Sequence, residues 1–289
     1  MEAHPVPPHD DAGDEALLAW LRAEVAHPFE GWDFSHLAGR MEQRAPPWDY
    51  ARIVAGALPG CHALLDLGTG GGEFLSTLRP LPPLTRATEG YAPNVPIARA
   101  RLEPLGVAAH EVGDDGALPF AGESFDLVIN RHESYDPREV RRVLRKGGRF
   151  ITQQVGGAND SGLNRLLGAP DPDDGFADNV KIGIAGRDAD PPDAPSADGL
   201  FASWTLAFAG RQLEAEGFRI ATAAEAFPVT RFADAGAIVY YLKAIPWQIP
   251  DFGVERYFAR LEDLHRRCRA EGGVAIRGHR FLLVAERPA

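Results

Sequence analysis

Short apolar runs alternate with stretches of helical spacing, and this alternation organises the chain from residue 59 to 156. Residues 63–67 (Ala-Leu-Leu-Asp-Leu) are apolar but for Asp66, as in a strand buried on both faces. Further strands are expected at 85–89, 107–112, 125–130 and 149–155, and the run Phe-Asp-Leu-Val-Ile-Asn at 125–130 is the clearest of them. Helices are expected from the glycines after Leu67 to about Leu78, from Pro93 to before Gly106, and over 137–145. The last of these ends on basic residues and then Gly147-Gly148, a common helix stop. A βαβα order of this kind predicts a mostly parallel sheet with helices on both faces.

The flanks read differently. Leu17, Leu18, Trp20, Leu21 and Val25 fall at helical spacing up to Pro28, and residues 28–50 are irregular but carry Phe29, Trp32, Phe34, Trp48 and Tyr50. Those aromatics suit either packing on the domain or a lid over a ligand. Residues 170–198 are dense in Asp, Pro, Gly and Ala, long for a structureless connection, so an active-site flap is one reading. Helical spacing resumes over 201–217, 232–245 and 251–271, with strands at 218–222 and 281–285. The expected organisation is a disordered tail, 1–13, and one domain, 14–289. Within it lie an N-terminal helical or lid segment (14–58), a core (59–156), an insertion or flap (157–200) and a C-terminal half (201–289).

Composition narrows the chemistry. The 289 residues carry 41 acidic and 30 basic side chains, a formal net charge of −11, which argues against a nucleic-acid backbone as partner. The two cysteines, Cys61 and Cys268, lie far apart and have no ligand neighbour at zinc spacing, so no metal is expected. No apolar stretch approaches 18 residues, so no membrane span is expected. Residues 1–14 lack the layout of a secretion signal, and a cytoplasmic location is the default expectation.

The candidate ligand site begins at Gly68-Thr69-Gly70-Gly71-Gly72, between a strand and a helix. Glycines there let a backbone approach a ligand and present N–H groups at a helix start. The spacing is more compact than the dinucleotide pattern, and Asp66 two positions earlier suits an ammonium group better than a pyrophosphate. Glu89 ends the next strand and is placed to accept hydrogen bonds from ribose hydroxyls, with Gly90 and Tyr91 beside it. Asp114 and Asp115 follow the third strand, where an acid can meet an adenine amino group, although turn residues are the ordinary reading of such a pair. Asn130, Arg131, His132 and Glu133 sit at the carboxyl end of the 125–130 strand, the usual ligand side of an open α/β sheet.

Together Asp66 to Phe74, Thr88-Glu89-Gly90-Tyr91, Gly113-Asp114 through Phe120, Phe125-Asp126-Leu127-Val128 and Leu144 to Phe150 resemble the class I S-adenosylmethionine-dependent methyltransferases, the ubiquinone-type and small-molecule enzymes in particular. The resemblance covers roughly residues 60–155. It implies a Rossmann-like, doubly wound, seven-stranded sheet, mostly parallel with an antiparallel last strand. It implies S-adenosylmethionine as cofactor, S-adenosylhomocysteine as product, and an enzyme methylating O, N or C of a small molecule. Its motif positions put the methionine part near Gly68 and Gly70, the ribose at Glu89 and the adenine at Asp114. RNA or protein methylation, or a non-methylating protein on the same fold, are the alternatives.

Beyond residue 156 the resemblance is loose, so the acceptor side rests on the residues alone. His132 and Glu133 are the candidates for a general base. Trp32, Trp48, Tyr50, Tyr240, Tyr241 and Trp247 are the candidates for a substrate pocket.

Overall fold

The computed structural model describes residues 7–8, 13–29, 33–113, 116–170 and 204–289. Trp32, Asp114, Asp115, nearly all of the 1–13 tail and most of the 157–200 insertion lie outside the described residues. The described residues fold as two compact units.

One unit gathers the described residues of 47–157, 204–226 and 280–289. In chain order it contains helix α2 (Tyr50–Ala57), strand β2 (Ala63–Leu67), α3 (Glu73–Thr77), β3 (Leu84–Glu89), α4 (Asn94–Leu102), β4 (Ala108–Glu111), β5 (Phe125–Arg131), α5 (Pro137–Val143), β6 (Leu144–Val155), α7 (Leu206–Ala215), β7 (Arg219–Ala226) and β10 (Arg280–Glu286). Its strands form one seven-stranded sheet in the order β4-β3-β2-β5-β6-β10-β7. The pairs from β4 to β6 are parallel, and β10 runs antiparallel to both its neighbours. The expected mostly parallel sheet with an antiparallel last strand is therefore the observed one.

Alternation along the strands explains the two covered faces. Leu64, Leu127 and Ile129 pack under α2, α3 and α4 with Tyr50, Val54, Leu75, Ala98 and Leu102. Leu65, Leu67, Val128 and Phe150 pack on the other face with Val140, Val143, Ala209 and Leu213. Because β2 is buried at every position, Asp66 is carried into the interior with it, on the Leu64 face.

The other unit gathers the described residues of 7–46, 158–170 and 227–279. It contains α1 (Gly13–Ala26), β1 (Met41–Gln43), α6 (Ser161–Leu167), β8 (Val229–Phe232), α8 (Ala235–Ala244), α9 (Phe258–Glu271) and β9 (Val274–Arg277). β8 pairs antiparallel with β1 and β9 in a small sheet, and Leu21, Phe232, Ile238 and Leu261 belong to its core. Asp234 caps α8 by accepting from the Ala237 N–H at 2.8 Å and also takes the Arg40 guanidinium with both oxygens. Glu24, fully buried on α1, forms an ion pair with Arg40 at 2.7 Å and lies 2.8 Å from His36 Nε2.

Several expectations shift. The helix expected over 137–145 ends at Val143, and β6 begins at Leu144, running through the glycines that read as a helix stop. The helix expected from 232 begins at Ala235, because Phe232 closes strand β8. The 251–271 helix starts at Phe258. No helix of the described residues is long and apolar enough to cross a membrane.

Candidate active site

The glycine loop is shaped by backbone conformations that side chains resist. Gly68, Gly70 and Gly72 all have positive φ, at 67°, 62° and 80°. A Cβ on Gly68 would overlap the Glu133 side chain, and one on Gly72 would lie 2.8 Å from Leu102 Cγ. Gly72 is the N-cap of α3, so the loop delivers the chain directly into a helix start. Arg101 on α4 pins the loop from outside, pairing with Glu73 and donating to the Gly71 carbonyl.

Two buried carboxylates face this loop. Asp66 accepts from Thr69 Oγ1 at 2.8 Å, and its acidity is suppressed, to a pKa of about 7. Burial is the main cause; the Thr69 hydrogen bond and Arg131 oppose it, while the charge of Glu89 adds to it. Glu89, at the end of β3, accepts from the Gly70 N–H at 2.6 Å with one oxygen and from the Tyr91 N–H at 2.8 Å with the other. Burial raises its pKa too, and the nearby Glu133 carboxylate pushes the same way. Each oxygen of Glu89 has a further lone pair, so the bonds to Gly70 and Tyr91 fix the carboxylate without exhausting it. Three acids thus converge on Gly68–Gly70, a setting that favours a positively charged ligand.

The carboxyl end of β5 is held by an amide network. Asn130 is fully buried: its amide nitrogen donates to the Leu67 carbonyl at 3.3 Å, and its Oδ1 accepts from Thr152 Oγ1 at 2.9 Å and Gln154 Nε2 at 2.6 Å. Expected as a cofactor contact, its side chain instead ties β2, β5 and β6 together. Arg131 lies with its guanidinium carbon 5.5 Å from the centre of the Phe74 ring. His132 takes a positive φ of 62°, its N–H donating to the Gln153 carbonyl at 2.8 Å. Its ring lies 2.9 Å from Gln153 Nε2. His132 as a residue is exposed at the surface, but desolvation of its ring, then the charges of Arg280 and Arg131, depress its pKa. Glu133 turns its carboxylate back to Ser134 N and Oγ, at 2.9 and 3.1 Å.

The pocket aromatics separate. Trp48 donates its indole N–H to Gln153 Oε1 at 2.7 Å. Tyr50 is buried, donates to the Asn130 carbonyl at 2.9 Å and packs on Phe74, so it is a core residue of this unit and not a pocket wall. Tyr240 is likewise core in the other unit, donating to the Pro28 carbonyl at 2.9 Å. Tyr241 donates to Asp160 Oδ2 at 2.9 Å, and Trp247 is partly exposed. Asp126, grouped by sequence with the ligand-side motif, is a latch: it accepts from His62 N and Ala63 N, both at 2.9 Å, and pairs with Arg145 at 2.7 Å. Gln153 and Gln154 are the site residues that sequence reasoning missed, because their interior polar ends on a buried strand give no motif.

Residues 65–152 match the family model described as a methyltransferase domain. Two curated demethylmenaquinone methyltransferases are similar. That of Roseiflexus castenholzii is 36% identical over 117 residues, 37% of this chain and 49% of the relative; that of a Roseiflexus species is 39% identical over the same lengths. The chain therefore spans about half the length of the curated relatives it matches. Among solved structures, a protein of Bacillus halodurans provisionally assigned to the methyltransferases aligns with a TM-score of 0.55 at 17% identity, over 83% of this chain and 99% of that one. The Bacillus subtilis YcgJ protein aligns at 0.51 and 16%, over 83% and 98%. The likeness to these structures is one of fold.

Proposed function

Starting from a class I methyltransferase domain over residues 65–152, we propose that this chain methylates an O, N or C atom of a small molecule with S-adenosylmethionine. The observation that carries the reading is the convergence of Asp66, Glu89 and Glu133 on the positive-φ glycines at the start of α3. A ligand bearing both a sulfonium and an ammonium group supplies the positive charge that this acidic setting favours. Asp66, Gly68, Thr69 and Gly70 would hold the methionine part, Glu89 the ribose hydroxyls, and Gly90 and Tyr91 flank the nucleoside. When bound, the cofactor supplies an electrophilic methyl group on sulfur. The chain's own share is to hold and orient the two reactants, which accounts for much of the rate in such displacements.

A small acceptor is favoured by the net charge of −11 and by relatives whose names give demethylmenaquinone as their substrate. The test is incubation with S-adenosylmethionine and a panel of quinols, phenols, amines and enols, with S-adenosylhomocysteine measured by mass spectrometry. Acceptor-dependent product is expected. Tight cofactor binding with no product from any acceptor would move the chain to the non-methylating alternative.

A further inference from the structure

His132 combines two features: a left-handed backbone conformation in a non-glycine residue and a ring nitrogen tied into a side-chain relay. The relay fixes which nitrogen carries the proton. An indole N–H only donates, so the Gln153 atom 2.7 Å from Trp48 is the carbonyl oxygen. The other end of that amide, its NH2 group, therefore faces His132 Nε2 at 2.9 Å and donates to it. Nε2 is thus the unprotonated nitrogen, its lone pair is occupied, and Nδ1 carries the hydrogen. A neutral imidazole held this way donates from Nδ1 and has no lone pair left to take a proton from a substrate.

The surrounding charge points the same way. Arg131 and Arg280 both act on His132 as positive neighbours, disfavouring a second positive charge on the ring. The next residue, Glu133, directs its carboxylate at Ser134.

We propose that His132 is a hydrogen-bond donor set by a Trp48–Gln153 positioning relay, and that with neither His132 nor the Ser134-bound Glu133 free to take a proton it donates from Nδ1 to an acceptor that arrives already ionised, such as a phenolate or enolate. The acceptor class rests on the methyltransferase reading above; the state of His132 does not. Such an acceptor has lost its proton to water before it binds, so no side chain has to remove it. The class of reaction that supplies it is one that leaves an acidic hydroxyl on a conjugated ring or chain.

The test uses the full chain labelled with ¹⁵N-histidine, the His132 signals being assigned as those missing in His132→Gln. The expected pattern is the Nδ1–H tautomer, unchanged between about pH 5.5 and about pH 8, where an ordinary histidine titrates. Trp48→Phe should convert it to a tautomer mixture. An Nε2–H pattern in the wild type, or titration near the ordinary histidine value, overturns the donor assignment. For the acceptor class the probe is 4-nitrophenol. The wild type should bind it as the yellow phenolate at a pH below the probe's own pKa, and His132→Gln should bind it roughly tenfold or more weakly, the loss of one hydrogen bond to a charged group. Binding of the neutral phenol, equal binding by His132→Gln, or no binding overturns that half. Calorimetry with S-adenosylhomocysteine separates the two readings: no cofactor binding beside an intact Nδ1–H signal refutes the cofactor and leaves the state of His132 standing.

Discussion

Asp66 is a carboxyl group whose charge the fold disfavours, and the sign of that effect is testable. Its pKa is raised in the folded chain, to about 7, above its ordinary value of 3.8. The folded state therefore holds a proton that the unfolded state has lost, and stability falls as pH rises from about 4 to about 7 through this group. Chemical denaturation of the ligand-free protein at a series of pH values should show that fall, and Asp66→Asn should flatten it; an unchanged pH profile in the variant contradicts the assignment. A cationic ligand reverses the preference, because it binds the ionised carboxylate. Affinity for S-adenosylmethionine should drop by up to about tenfold per pH unit below 7 and level off above it. The place of Asp66 before the glycine loop was legible in the sequence; its protonation was not, since that depends on burial that only the packed strand reveals. Gly68 is tested as directly. Gly68→Ala places a Cβ against Glu133 at a φ of 67° and should cost about 1–2 kcal/mol of stability while abolishing cofactor binding. Wild-type affinity by calorimetry would mean that the loop does not touch the ligand.

At the scale of elements, the sheet was readable because its strands are continuous apolar runs, and β2, β3, β5 and β10 end within a residue or so of the expected places. The misread boundaries have local causes. Lys146-Gly147-Gly148 looks like a helix stop, yet the chain is already extended at Leu144, and Gly147 takes a positive φ inside the strand span. Strands β1, β8 and β9, of three or four residues, are too short for alternation to stand out. Asp126 shows how a motif can conceal a structural role. It joins β5 to the start of β2 and to Arg145, so Asp126→Ala should destabilise the protein by about 1–3 kcal/mol. Cofactor affinity of the folded protein should stay unchanged; a fall in affinity with normal stability would assign Asp126 to the site.

At the scale of the whole chain, the family match lies within one compact unit, and the other unit lies outside it. That second unit draws on three segments far apart in sequence, so no local pattern announced that α1, α6 and α8 share a core. For the same reason Tyr240 read as a pocket residue when it is core. The buried Glu24 pairs with both Arg40 and His36, and Glu24→Ala removes that carboxylate from the two of them. A loss of about 3 kcal/mol in denaturant unfolding is expected; a loss well under 1 kcal/mol would show that Arg40 is satisfied by Asp234 alone. Cofactor binding is read out by isothermal titration calorimetry. S-adenosylmethionine should bind one site per chain at neutral to mildly alkaline pH, and Glu89→Ala should weaken it by about 1–3 kcal/mol through the lost ribose hydrogen bonds. No heat of binding to the wild type, or equal affinity in Glu89→Ala, would contradict the account.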